Sequence, residues 1–324
     1  MFNNKNLLIT GGTGSFGKKF VELTLKKFKP KTIVIFSRDE MKQWEMQDFY
    51  KNKILKFIIG DIRDISRLNE ALNGIDYVIH AAATKIVSSS ELNPLECIKT
   101  NIIGSSNLIE AARNNNIKKV VSLSTDKASN PINLYGATKL AADKLFSAES
   151  QSISSPKTKF SIVRYGNVIG SRGSVIPFFQ EQQKKGYLTI TDKRMTRFMI
   201  DLEDAVKFVW MAFDKMIGGE IFVKKLPSVS IIDIANAINS KIKKKFIGIR
   251  PGEKLHEQMI SNEEYFNTVE FKDYFKIIPS SAVNRKIYLK GGSLVNKNFS
   301  YTSINNKVWM TKEELKKKLK QSYN

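Results

Sequence analysis

Six short apolar runs recur through the first half of the chain: "NLLIT", "TIVIF", "ILKFIIG", "DYVIHAAA", "KKVVSLS" and "FSIVRYG". None alternates apolar with polar residues, and longer amphipathic stretches separate them. A strand that is apolar on both faces must be covered on both, the condition of a parallel sheet between two layers of helices. The spacing therefore predicts an α/β fold, a Rossmann-type doubly wound parallel sheet, over residues 1–166. After Tyr165 the regularity weakens: Gly and Pro interrupt "GSRGSVIPFF", "QEQQKKGY" is polar, and "IRPGEKLHE" follows "KFIGI". Residues 167–324 are expected to form mainly a smaller C-terminal substrate-binding lobe, interleaved with the last elements of the sheet. Thr311, three residues before Glu314, reads as a capping-box start for a terminal helix.

The first run passes directly into "LLITGGTGSFGKKF", which carries two overlapping spacings, Gly11-x-x-Gly14-x-x-Gly17 and Gly12-x-Gly14-x-x-Gly17. Glycines between a strand and a helix allow a tight turn and close backbone approach, so that a dinucleotide pyrophosphate can sit on free N–H groups. Gly11, Thr13, Gly14, Ser15, Phe16 and Gly17 are thus the candidate phosphate loop. Cofactor identity is read at the end of the second strand, where an acid suits a ribose hydroxyl and a base suits a 2′-phosphate. That position holds Ser37 and Arg38, with Lys42 one helical turn on, which favours NADP; Asp39 is the feature that suits NAD. At the end of the third strand Asp61, followed by Ile62, can meet the adenine, or Asp61 can cap the next helix.

The stretch "STDKASNPINLYGATK" holds Tyr135 and Lys139, four apart and so on one helical face. An ammonium beside a phenol favours the phenolate, so Lys139 is expected to lower the Tyr135 pKa from its ordinary value of about 10 and fit it as a base. Thr125 adds a hydroxyl from the end of the preceding strand. Asp126 and Lys127 stand side by side at the same strand end, where an open α/β sheet faces its ligand crevice. Simple hydride transfer needs neither.

Composition removes several classes of function. Cys97 is the sole cysteine and cannot form an internal disulfide, and two histidines, His80 and His256, make no metal-ligand set. Cys97 reads as a buried helix position and His80 as packing at a strand end. Net charge is +22, but the basic residues are spread along the chain; solvated faces and steering of an anionic substrate are expected rather than nucleic-acid binding. No apolar run reaches the length of a membrane span and the N-terminus lacks a signal-peptide pattern, so the expected location is cytoplasmic.

From "LLITGGTGSFGK" through "HAAATK", "NPLECIKTN", "LSTDKASNPINLYGATK", "RYGNVIGSRGSVIPFF" and "TDKRMTRF" to "IRPGEKLHE", the chain resembles the extended short-chain dehydrogenase/reductases. Within them it resembles the inverting UDP-N-acetylglucosamine 4,6-dehydratases, which carry Asp-Lys where retaining relatives commonly have Asp-Glu. The resemblance implies UDP-N-acetylglucosamine as substrate and a tightly held NADP recycled in each turnover. It implies that Tyr135 deprotonates the hydroxyl on carbon 4 as hydride leaves. Lys127 then takes the proton from carbon 5, Asp126 protonates the departing hydroxyl of carbon 6, and hydride returns to carbon 6 with inversion at carbon 5. The product would serve pseudaminic acid or another deoxyamino sugar. Family members form homo-oligomers, often hexamers.

A nucleoside diphosphate sugar needs cations for its diphosphate, and Arg250 and Arg197 are the candidates, with Glu253 three residues after Arg250. By resemblance, Asn167 contacts the sugar nucleotide and Lys85 lies at the sugar. In "AAATKIVSSSELNP" the family pattern would place an apolar residue before the lysine and Val-Pro after it. Thr84 and Ser88 are therefore expected to alter the shape of the sugar pocket. The rival readings are a UDP-sugar 4-epimerase, a retaining dehydratase, or a nucleotide-sensing protein without catalysis. An epimerase has no use for Asp126-Lys127, and a non-catalytic protein would be expected to lose one of Thr125, Tyr135 or Lys139.

Overall fold

A computed structural model describes residues 1–150 and 157–321. The first half runs β1 (Asn6–Thr10), α1 (Ser15–Lys27), β2 (Thr32–Ser37), α2 (Glu40–Tyr50), β3 (Leu55–Ile59), α3 (Ile65–Leu72) and β4 (Tyr77–His80). It continues with α4 (Val87–Leu92), α5 (Pro94–Ile98), a π-helical turn at Lys99–Ile103, α6 (Gly104–Asn114), β5 (Lys119–Thr125), α7 (Leu134–Glu149) and β6 (Lys159–Tyr165). All six apolar runs are strands. The second half contributes β7 (Asn167–Val168), α8 (Val175–Gln183), β8 (Tyr187–Ile190), β9 (Thr196–Ile200), α9 (Leu202–Lys215), β10 (Ile221–Lys224), β11 (Ser228–Ser230), α10 (Ile231–Ile238) and β12 (Lys243–Phe246). It ends with β13 (Gln258–Ile260), β14 (Thr268–Glu270), β15 (Tyr274–Ile277), α11 (Lys286–Leu289), β16 (Ser293–Leu294), β17 (Tyr301–Thr302) and α12 (Lys312–Gln321).

The main sheet has the order β16-β14-β15-β10-β6-β5-β4-β1-β2-β3. From β3 to β10 every pairing is parallel, with Leu8 opposite Val34 on one side and Val78 on the other. The chain order reverses between β1 and β4, so the carboxyl ends of those strands open a crevice, the place where doubly wound sheets bind ligands. Leu7, Leu8, Ile9, Val78, Ile79, Val120 and Val121 are fully buried, each stabilising the sheet by about 1.5–3 kcal/mol. Strands β14 to β16 extend this sheet in antiparallel fashion, so the last part of the chain returns to it. A separate apolar cluster holds the rest of the second half together: Ile176, Phe179, Leu188, Met199, Val229 and Ile234, closed by Leu315 and Leu319 of α12. That helix begins as its sequence predicts, Thr311 N–H donating to Glu314 and Glu314 N–H to the Thr311 hydroxyl; residues 322–324 lie outside the described residues. Among the described residues no helix is long and apolar enough to cross a membrane, and no group of three or more His, Cys, Asp or Glu could hold a metal ion.

His80, at the end of β4, is buried between two hydroxyls. Its Nδ1 lies 2.7 Å from Thr10 Oγ1 and its Nε2 3.3 Å from Ser105 Oγ. Since Ser105 donates to the Asn101 carbonyl, its oxygen accepts from Nε2–H, and Thr10 donates to Nδ1: the neutral tautomer satisfies both. Burial, with the Lys139 charge behind it, pushes the imidazole down to about 3. The unfolded chain takes up this proton below about pH 6.5 and the native protein does not, so stability must fall as pH drops from about 6.5 toward 3, by about 1.4 kcal/mol per pH unit. Acid titration of the urea midpoint is expected to show this slope, and His80→Asn to flatten it.

Candidate active site

The glycine loop folds as its spacing predicts. A side chain on Gly17 would place Cβ 2.2 Å from the Gly12 carbonyl oxygen, so only glycine lets α1 begin this close to the turn. Gly14 caps α1 with no side-chain hydrogen bond to the first N–H groups, which leaves them for an anion. Thr13 donates to Ser37 Oγ at 3.3 Å, tying the loop to the end of β2. Beyond Ser37, Asp39 caps α2 by accepting from Lys42 N–H at 2.9 Å and also pairs with the Lys42 ammonium. Arg38 is more than half exposed, its Nη1 3.6 Å from Asp61. Asp61 does not cap α3; Asp64 does, accepting from Arg67 N–H at 3.0 Å. Asp61 instead accepts from Arg63 Nε and Nη2 at 2.9 and 2.7 Å, a geometry that holds the cleft wall rigid.

Opposite this wall, α7 carries Tyr135 and Lys139, both buried. Asn133 caps α7, accepting from Gly136 N–H at 2.8 Å, while its side-chain amide donates to the Gly252 carbonyl at 2.7 Å and so joins α7 to the second half. A Cβ on Gly136 would stand 2.3 Å from the Lys127 carbonyl oxygen; glycine here is what lets α7 meet the turn that carries Asp126 and Lys127. Thr125 Oγ1 donates to Asp126 Oδ1 at 2.9 Å, and Lys127 Nζ donates to the same oxygen at 3.1 Å.

Electrostatically the site departs from expectation in one respect. Burial pushes the Tyr135 phenol up to about 12, and the groups that oppose this are the Lys127 charge and a hydrogen bond to Thr125, not Lys139. The physical reason is that Lys139 is itself fully buried: burial pulls its ammonium down, and Asp143 supports its charge. Burial raises Asp126 also, toward its protonated form. For Lys127 burial works against the charge, but the carboxylates of Asp126 and Glu257 together outweigh it and hold the ammonium above its ordinary value.

Every residue named from sequence as a catalytic, cofactor-binding or substrate-binding candidate lines one cleft of about 1400 Å³. The substrate candidates differ in how they are held. Lys85 Nζ donates to the Arg172 carbonyl at 2.8 Å. Asn167 lines the cleft, and its Oδ1 is buried without a hydrogen-bond partner among the described residues. Arg250, half exposed, lies 3.6 Å from Glu253, whereas Arg197 is largely buried and donates to the Thr196 and Leu255 carbonyls at 2.8 and 3.2 Å. Ser88 lines the cleft but Thr84 does not: its hydroxyl points to Cys97 Sγ and Asn101 Oδ1, both 3.3 Å away. Asn101, on the π-helical turn, also accepts from Thr84 N–H and donates to its carbonyl, so this polar residue shapes the loop from behind.

Two site residues escape the sequence reading. Glu257, 2% exposed, stands 3.1 Å from Lys127 Nζ. Arg164, fully buried on β6, binds Asp143 of the Tyr135 helix and Glu264 of the second half. A charged residue inside the otherwise apolar run "FSIVRYG" was the available signal for Arg164, because a buried guanidinium must be paired. For Glu257 the signal was only its place at the end of "IRPGEKLHE".

The sequence pattern of the family described as "Polysaccharide biosynthesis protein" matches residues 7–279. The chain belongs to this family. A Campylobacter jejuni protein named UDP-N-acetylglucosamine 4,6-dehydratase (inverting) is 51% identical to it over 324 residues, 97% of each chain. A Rickettsia rickettsii protein named UDP-glucose 4-epimerase is 44% identical over 329 residues, covering 98% of this chain and 96% of that one. Among solved structures, that of Pen from Bacillus thuringiensis superimposes with a TM-score of 0.92 at 39% identity, covering 100% of this chain and 99% of the other. The likeness to these relatives thus takes in the last sixty-odd residues, beyond the last of the sequence motifs.

Proposed function

We propose that this polysaccharide biosynthesis family member is an inverting UDP-N-acetylglucosamine 4,6-dehydratase using NADP. The observation that carries the reading is Asp126 and Lys127 in direct contact, 3.1 Å apart, in the same cleft as Tyr135. An oxidation at carbon 4 needs only Tyr135; elimination of water across carbons 5 and 6 needs a further base and a further acid. The cofactor would be held by the glycine loop, Arg38 and Lys42, and when bound it supplies hydride acceptance and return. Tyr135 takes the proton of the carbon 4 hydroxyl, and the ketone left behind acidifies the carbon 5 hydrogen. Lys127 removes that hydrogen and Asp126 gives a proton to the departing oxygen of carbon 6. Arg250, Arg197, Glu253, Asn167 and Lys85 hold and orient the sugar nucleotide. A 4-keto-6-deoxy sugar nucleotide as product accords with a family described by polysaccharide biosynthesis.

The protein incubated with UDP-N-acetylglucosamine in deuterated water, followed by NMR of the sugar protons, tests this. A 4-keto-6-deoxy product with deuterium at carbon 5 and inverted configuration is expected. Deuterium with retained configuration would make it a retaining dehydratase. The 44%-identical Rickettsia protein gives the second reading its weight, and the galacto sugar formed without loss of water would establish that epimerase reading instead.

The choice of NADP is supported by Asp39, whose carboxylate is committed to Lys42 and to the cap of α2, and by the exposed Arg38 beside it. A charged hydrogen bond contributes about 1.5–3 kcal/mol, so Arg38→Ala is expected to weaken NADP binding roughly 10- to 100-fold and to leave NAD binding nearly unchanged. Titration of cofactor-stripped protein with each dinucleotide measures both. Equal losses for the two would show that Arg38 does not read the 2′-phosphate.

A further inference from the structure

Lys127 sits between two carboxylates: its Nζ is 3.1 Å from Asp126 Oδ1 and 3.1 Å from Glu257 Oε1. The second oxygen of each acid, Asp126 Oδ2 and Glu257 Oε2, is buried with no hydrogen-bond partner among the described residues. Unpaired buried carboxylate oxygens are costly and mark places where a proton can go. Two acids around one ammonium leave an excess negative charge, and Arg197, with Nε 3.7 Å from Glu257 Oε1, balances it. The other charged or titratable groups facing Lys127 are Tyr135 of α7 and Lys254, whose Nζ donates to the Ser129 carbonyl at 2.7 Å.

Glu257 is also anchored more firmly than a surface acid. Its N–H donates to Ser303 Oγ at 2.9 Å, and Ser303 N–H donates back to its carbonyl at 2.8 Å. The Ser303 hydroxyl lies 2.7 Å from that of Thr196, the residue before Arg197. The chain after β17 therefore fixes both members of the Glu257–Arg197 pair.

We infer that Glu257 is a positioning residue for elimination, fixing the Lys127 side chain so that it can pass a proton to Asp126 and turn its lone pair to carbon 5; this rests on the dehydratase reading. In that step an N–H bond of Lys127 breaks and an O–H bond on Asp126 forms, giving a neutral amine and a neutral acid. Arg197 then compensates Glu257, which would otherwise be a lone buried carboxylate. The amine takes the carbon 5 proton, the acid gives its proton to the oxygen leaving carbon 6, and both groups return to their starting charges. No further reactant is needed.

Glu257→Gln keeps the shape and removes the charge. With UDP-N-acetylglucosamine it is expected to lower kcat about 100-fold with little change in KM. The Lys127 ammonium, which favours the Tyr135 phenolate, remains in this variant, so oxidation at carbon 4 should go on and reduced-nicotinamide absorbance should build up on mixing, while cofactor retention stays near wild type. The alkaline limb of the kcat profile should move to lower pH, since the lost carboxylate favoured the Lys127 ammonium. Glu257→Asp, which keeps the charge, should restore the wild-type limb and part of kcat. A merely structural role would slow oxidation as well and give no build-up, which overturns the inference, as would wild-type kcat and limb in Glu257→Gln. Should neither variant fold, the wild-type enzyme decides: Lys127 is expected to be acetylated by acetic anhydride more slowly than Lys19, which has similar exposure, 30% against 21%. Equal rates overturn the inference. Failure of the wild-type enzyme to release a 4-keto-6-deoxy sugar is a different result and counts against the dehydratase reading itself.

Discussion

Tyr135→Phe is expected to lower kcat by roughly 100- to 10,000-fold, the usual contribution of a positioned proton acceptor. Only the hydroxyl is removed, and the ring stays packed in α7, so folding and cofactor retention should be unchanged. Deuterium uptake at carbon 5 is the sharper measurement. Without a ketone at carbon 4 the carbon 5 hydrogen is not acidic, so Lys127 and Asp126, though intact, have nothing to act on; product and deuterium should disappear together. The wild-type pH profile carries the matching sign. Burial pushes the phenol up to about 12, and Lys127 and Thr125 pull it back only in part. Below that value the ionised fraction grows with pH, so the oxidation step should quicken across the neutral and mildly alkaline range, and Tyr135→Phe should lose that slope. Deuterium exchange at a wild-type rate in the variant would assign the carbon 4 proton to another residue.

The parts of this site that were legible in the sequence are those written in local spacing. Runs apolar on both faces could only be parallel strands, and the glycine loop, Tyr135-x-x-x-Lys139 and Asp126-Lys127 each sit within one turn or one strand end. Contacts made across long stretches of chain leave no such trace. Glu257 meets Lys127 across 130 residues, and the side chain that fixes it, Ser303, comes from a segment to which the motifs assign nothing. Thr84 misled for a related reason: its place in the chain is beside Lys85, but its side chain turns back to Cys97 and Asn101. Tyr135 was expected to take its electrostatic character from Lys139 by helical spacing. Burial and the neighbouring Lys127 dominate instead, because desolvation depends on tertiary packing that spacing does not encode.

Arg164 carries the largest expected effect on stability. Its guanidinium is fully buried; Nη1 donates to the Met259 carbonyl at 2.7 Å and to Glu264 at 3.1 and 3.2 Å, and Nη2 lies 3.5 Å from Asp143 Oδ2. Asp143, one helical turn from Lys139 on α7, is 1% exposed and among the described residues has Ser124 as its one neutral donor, at 2.8 Å. Removing the cation leaves a buried carboxylate with one remaining charged neighbour, and breaking such a pair from one side costs about 3–5 kcal/mol. Arg164→Met, which keeps most of the apolar stem, is expected to lower unfolding free energy by that amount in urea titration. Pairing it with Glu264→Gln should recover part of the loss, because the two side chains share one network and their effects should not add. The same contact joins the Tyr135 helix to the segment just beyond Glu257, adding a buried charged tie to the Asn133–Gly252 and Lys127–Glu257 contacts that link the two halves of the cleft. A loss below about 1 kcal/mol in Arg164→Met, the scale of an exposed pair, would mean that packing around β6 holds them without it.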